Sequence, residues 1–273
     1  MSKATRDAKG FGCLVLAIGI LLAGFSASAR VISDGALTLR FSNDSAEQGQ
    51  VDLAHIPPNP SADQGQTSPA NSALKADNWE QVWGDEVEMF FGGSGASQYL
   101  AIEASQGGYV WARSMENRFK LSERPMLKIT WAVDQFTGPG LKYWDSWDRP
   151  VVVFVAFGKR GMFAPPKSIG FVWGNDTDEI KAIPECLPKS ERRKHKQKCF
   201  RFHKTVRYFV VNNGEAGKVK RDQFDLIQYY KRAYPGENPE AAIVYAVSIE
   251  AKAKSGETSK ARLYDITLAP ADK

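Results

Sequence analysis

The sequence has little of what most enzymes use for covalent and acid–base chemistry. Among 273 residues there are three histidines (His55, His195 and His203) and three cysteines (Cys13, Cys186 and Cys199). Two of the histidines lie in or beside one basic segment, which leaves a His-dependent nucleophile poorly supported. The chain has no Gly-x-Ser-x-Gly elbow, no His-Glu-x-x-His, no phosphate-binding glycine loop and no dinucleotide fingerprint. A glycosidase pair of carboxylates has no local signature, so that chemistry stays open. Long apolar runs are also missing beyond residues 11–25, a stretch shorter than the about 20 residues a membrane span needs. With 43% hydrophobic and 25% charged residues the rest is an ordinary globular chain, long enough for one sandwich-type domain or two small ones.

Residues 1–29 read as a secretory signal. Lys3, Arg6 and Lys9 give a positive start, the apolar run follows, and Ala27-Ser28-Ala29 supplies small residues for cleavage. An uncleaved N-terminal anchor is the alternative. Cys13 lies inside the apolar run, which argues against a lipid-modified cysteine. The mature chain is expected to begin near Arg30, in the periplasm or outside the cell, with no stable membrane span. It then carries 33 basic and 30 acidic residues, unevenly spread. Residues 30–148 hold 9 basic and 16 acidic, whereas residues 181–232 hold 15 basic and 5 acidic. Such asymmetry says more about partners than the total does.

Val31-Ile32 and residues 37–41 suit a short hairpin across Asp34-Gly35. Residues 42–77 then turn polar and proline-rich, and read as a linker that buries too little apolar surface to offset its ordering cost. From Asn78 onward strand signals dominate. Residues 87–91 precede a Gly92-Gly93-Ser94-Gly95 turn, and Gln106-Gly107-Gly108 resembles a hairpin between residues 99–103 and 109–113. Residues 126–133 alternate, with Leu127, Ile129 and Trp131 on one face. Residues 151–157 are continuously apolar, as in a central strand covered on both sides. Four more strands are expected at residues 169–173, 206–211, 243–249 and 261–268. One helix is expected over residues 222–234, with Phe224, Ile227 and Tyr230 sharing a face and Pro235-Gly236 as its stop. The expectation is an all-β fold, an antiparallel β-sandwich or jelly roll with one short helix. Its parts would be a signal (1–29), a hairpin and polar linker (30–77) and the sandwich (78–273).

Several segments, in order, resemble a known pattern. Asn78-Trp79-Glu80, Val110-Trp111-Ala112-Arg113-Ser114, Arg124-Pro125-Met126-Leu127-Lys128-Ile129-Thr130-Trp131-Ala132-Val133, Val151 to Phe157 and Phe171-Val172-Trp173 are followed by Arg221-Asp222 through Tyr230 and by Tyr264-Asp265-Ile266-Thr267-Leu268. This order is similar to the bacterial domain of unknown function 3047 family over roughly residues 78–269. The resemblance implies a secreted jelly-roll-like sandwich of the galactose-binding type common among carbohydrate-binding modules. It implies no defined biochemical role. The chain departs from the family at Asp145, Asp148, Arg149 and Pro150, and again at Glu250-Ala251-Lys252-Ala253-Lys254.

The most distinctive local feature is Tyr143-Trp144-Asp145-Ser146-Trp147-Asp148-Arg149, expected in a loop before the central strand. Aromatic faces stack on sugar C–H surfaces, and Asp and Arg hydrogen-bond hydroxyls, so Tyr143, Trp144, Asp145, Trp147, Asp148 and Arg149 form a candidate ligand site. The alternative is that these aromatics pack beneath the loop while Asp148 and Arg149 form an ordinary ion pair. Cys186 and Cys199 are expected to form a disulfide, constraining the unfolded chain by about 3 kcal/mol. A Cys₂His₂ zinc set with His195 and His203 fits worse, because the cations between the cysteines would repel a dication. Those cations, Arg192, Arg193, Lys194, Lys196 and Lys198 among them, form a candidate polyanion contact or a merely solvated loop. Asn175-Asp176-Thr177-Asp178-Glu179 lacks the glycine and distal glutamate of a calcium loop and reads as a turn.

The leading reading is a secreted or periplasmic binding module without catalysis, cofactor or metal. Its ligand would be a carbohydrate or an anionic envelope polymer, and not a nucleic acid. Two alternatives are a glycoside hydrolase or lyase using Asp145 or Asp148 with Tyr143, and a structural envelope protein docking a partner through its basic loop.

Overall fold

The computed structural model describes residues 28–31, 36–41, 68–84, 89–93, 97–137, 149–158, 167–174 and 205–271. Among these residues twelve strands pair in one continuous network. They are β1 (Ser28–Val31), β2 (Leu37–Arg40), β3 (Ser68–Pro69), β4 (Trp79–Gly84), β5 (Phe90–Gly92) and β6 (Tyr99–Lys120). β7 (Met126–Gln135), β8 (Arg149–Phe157), β9 (Lys167–Gly174), β10 (Val206–Asn213), β11 (Val219–Asp225) and β12 (Ile243–Ala269) complete the set. Two short α-helices among the described residues, α1 (Asn71–Ala76) and α2 (Leu226–Ala233), join them.

β6 and β12 are long enough to belong to both layers of the sandwich. One layer runs β10–β9–β8–β12–β6–β4, using the first part of β12 and the last part of β6. The other runs β11–β7–β12–β6–β5–β3, with β2 also on β12 and β1 on the far side of β2. This is a jelly-roll-type β-sandwich, antiparallel except for the β9–β10 pair, which is parallel. A parallel pair needs a long connection, and its two strands, ending at Gly174 and starting at Val206, lie far apart in sequence.

Alternation explains the core. Leu127, Ile129 and Trp131 from β7 meet Ile169, Phe171 and Trp173 from β9 in one buried cluster. Trp131 and Trp173 pack edge to face at 5.6 Å, and Phe171 stacks on Phe224 of β11 at 4.6 Å. β8 is buried at every position, as its unbroken apolar run predicts. Its outward residues Val152 and Phe154 join Val172 and Tyr208 in a second cluster.

Four expectations need revision. The hairpin predicted at Gln106-Gly107-Gly108 is instead continuous strand β6. Gly108 faces β12 so closely that a Cβ would meet the Ala251 carbonyl oxygen at 2.9 Å. The ladder shifts beyond Gly107–Ala253, so the glycines serve a bend between layers and not a reversal. The two strands predicted at residues 243–249 and 261–268 are likewise one strand, β12. The predicted helix starts later, because residues 222–225 pair with β7 and Asp225 caps α2 by accepting from the Ile227 and Gln228 amides at 2.9 and 3.2 Å. Finally, part of the polar linker is folded. Ala70, Ala73 and Leu74 fall on one side of α1 and enter the core, as do Leu37, Leu39 and Phe41 of the N-terminal hairpin.

Candidate functional site

β4 pairs with β6 alone among the described residues, which leaves its other edge open. Beside that edge stands α1, and the turn joining them is firmly held. Arg113 of β6 is buried, and its guanidinium donates to the Asp77 carbonyl at 2.8 Å and to both Asp77 carboxylate oxygens at 3.1 Å. Asn78 follows in the left-handed region (φ 62°) and its amide donates to Glu116. At the other end of α1, the Met89 amide donates to Asn71 Oδ1 at 2.8 Å and the Ala70 amide to the Met89 carbonyl at 2.7 Å. Between α1 and β4 lies a groove of about 570 Å³, lined by Asn71 and Lys75 from α1, residues 79–84 of β4, and Trp111 of β6.

A β-bulge decides what faces this groove. Trp79 pairs with Arg113 and Gln81 with Trp111, both inward-facing positions of β6. The next pair is Trp83 with Val110, so Val82 is an extra residue. In an unbroken ladder Trp83 would share the inward face of Trp79 and Gln81. The bulge moves it to the outward face with Glu80, where Trp83 is 53% exposed and Val82 43%. Gly84 then leaves the strand at φ +96°, where a Cβ would lie 2.0 Å from the Gly108 carbonyl oxygen. Only glycine closes β4 against β6 there, which fixes the position of its neighbour Trp83.

The groove thus offers an exposed indole, an exposed valine, an ammonium and a carboxylate. The Lys75 and Glu80 side chains have no ion-pair or hydrogen-bond partner among the described residues. Trp79 and Trp111 bury indole N–H groups that find no acceptor there. A hydroxyl-rich, partly apolar ligand suits this set: the indole stacks on C–H faces, while Lys75 donates and Glu80 accepts charge-assisted hydrogen bonds. Sequence reading misses Trp83, because its spacing of four from Trp79 implies one strand face and the bulge arises only from pairing with β6.

Of the residues expected from sequence, Arg149 alone lies among those described. It begins β8 at 2% exposure, and its guanidinium donates to the Glu250 carboxylate. Its central carbon sits 4.9 Å from the Tyr208 ring centre, and Tyr208 donates to the second Glu250 oxygen at 3.1 Å. Burial, and then the Glu250 charge, pushes the Tyr208 phenol above its ordinary pKa. The Arg149 charge is therefore matched inside the fold instead of on an exposed loop. Tyr143, Trp144, Asp145, Trp147 and Asp148 lie outside the described residues. So do Cys186, Cys199, Arg192, Arg193, Lys194, Lys196 and Lys198. No cluster of His, Cys, Asp and Glu suited to a metal occurs among the described residues, and no helix there is long and apolar enough to cross a membrane.

No protein-family model and no curated protein matches the chain. Solved structures with a similar strand layout include the glycoside hydrolase domain of Endo-D from Streptococcus pneumoniae R6, at 10% identity and TM-score 0.34 over 71% of this chain. This chain spans only 22% of that one. A family 11 carbohydrate-binding module from Clostridium thermocellum aligns at 8% identity and TM-score 0.36, over 71% of this chain and 89% of its own. A cellulase derived by mutation from one of Rhodothermus marinus aligns at 8% identity and TM-score 0.40, over 75% and 97%.

Proposed function

We propose that the protein is a secreted, non-catalytic carbohydrate-binding module that seats a saccharide in the groove between α1 and β4. The observation that carries this reading is the bulge at Val82, which holds Trp83 out of the core on a clamped edge. Trp83 and its exposed neighbour Val82 together give the groove the apolar surface that ligand sites present. Glu80 is the one carboxylate among the described residues lining the groove. Glycoside hydrolysis generally needs two, flanking the bond to be cut, so the described lining suits binding better than cleavage.

The aromatic–acidic residues 143–148 remain a second candidate contact, and the basic run 189–198 a separate polyanion contact. Secretion rests on the signal-like residues 1–29, and membership of the resembled family belongs to the same proposal. The test is affinity electrophoresis of the mature protein through gels containing polysaccharide. Native protein is expected to be retarded without releasing reducing ends, and Trp83→Ala to migrate freely. Retardation unchanged in Trp83→Ala but lost on replacing Trp144 and Trp147 with Ala would move the site to the loop. Release of reducing or unsaturated ends would replace the binding reading with an enzymatic one.

A further inference from the structure

We infer that the groove selects a neutral glycan chain and discriminates against acidic ones. This rests on the reading of the groove as a saccharide seat and narrows its ligand. Among the described residues the lining holds one cation, Lys75, and one anion, Glu80, whose formal charges cancel. The side chains of both lack partners among the described residues, and both are free to meet a ligand. A neutral sugar suits them at once, because every hydroxyl both donates and accepts. Glu80 accepts a hydrogen bond from one hydroxyl while Lys75 donates to another hydroxyl oxygen. Val82 and Trp83 provide an apolar strip for the C–H face of the same ring.

An acidic chain meets the groove badly. Its carboxylates recur along its length, so one that reaches Lys75 places others near Glu80. The cationic surplus of the sequence lies in residues 181–232, with 15 basic against 5 acidic, and anionic polymer binding belongs with that segment.

The experiment uses the mature chain with hydroxyethylcellulose and galactomannan as neutral probes, and polygalacturonate and alginate as acidic ones, each at low and high salt. Neutral probes are expected to bind with an affinity that changes less than about twofold with salt, since no counterions are displaced. Trp83→Ala is expected to weaken that binding by about tenfold or more, as loss of a central aromatic anchor does. Glu80→Gln and Lys75→Gln should each weaken it less, and Trp83→Tyr should restore part of it. Glu80→Gln also guards against a folding defect, since this residue is exposed and pairs only through its backbone.

Three results would overturn the inference, and they separate it from the reading it rests on. Acidic probes that bind more tightly than neutral ones, weaken with salt and are lost in Trp83→Ala would refute neutral selection and leave the saccharide seat standing. No binding of either class, or binding indifferent to Trp83→Ala and Glu80→Gln, would refute both. A native dimer that Trp83→Ala converts to monomer, without glycan binding, would mean a second copy covers the β4 edge, and would refute both as well.

Discussion

Two groups of tryptophans in this sandwich are treated in opposite ways. Trp131 and Trp173 lie between the layers, fully buried, with both N–H groups used. Trp131 donates to Asp222 Oδ2 at 2.6 Å and Trp173 to the Gly214 carbonyl at 2.7 Å. Lys220 sits over the Trp173 ring at 5.1 Å and pairs with Glu215. Around the α1–β4 groove, Trp79 and Trp111 bury N–H groups without described acceptors, and Trp83 stands in water. A well-satisfied pair is what packing alone produces. Unmatched donors and an exposed indole together mark a place where the fold gives up stability, as functional sites do.

The contrast breaks first at its buried end. Trp131→Ala empties the middle of the sandwich and is expected to cost about 3–5 kcal/mol, read as a lower urea midpoint. A loss below about 1 kcal/mol would mean this pair is not the centre of the core. Asp222→Ala leaves the Trp131 N–H without its acceptor and is expected to cost about 1–3 kcal/mol. Asn212 donates to the same carboxylate oxygen, so Asp222→Asn should retain part of that stability.

How far the sequence reveals this contrast depends on what each tryptophan owes to its neighbours in the chain. Trp131 is legible, because Leu127, Ile129 and Trp131 alternate in a strand that the fold reproduces as β7. The unbroken run in β8 is legible for the same reason, its burial being a local property. Trp83 is not legible, since its outward direction depends on which residue of β6 it pairs with. The same dependence hides the continuity of β6 through Gly107-Gly108, which by composition looks like a turn. It also hides the parallel β9–β10 pair and α1, whose few apolar residues matter only once β4 is there to receive them.

Acid distinguishes the two ends more gently. Hydrogen bonds from Lys220, then Lys218, hold the Glu215 carboxyl down at about 2 from its ordinary 4.5. A carboxyl lowered on folding contributes stability above its unfolded pKa and loses it as pH falls through the folded one. Here that window runs from pH 4.5 down to about 2. The difference in urea midpoint between native protein and Glu215→Gln is expected to shrink across that window. A constant difference would mean that the ion pair beside Trp173 does not form.

Trp83 allows the most direct measurement, made twice on one sample. Trp83→Ala is assayed for its urea midpoint and for retardation in a neutral polysaccharide gel. A stability within about 0.5 kcal/mol of native is expected from that midpoint, as for an exposed side chain, together with loss of retardation. A midpoint that falls as far as that of Trp131→Ala, or retardation that survives intact, would contradict it.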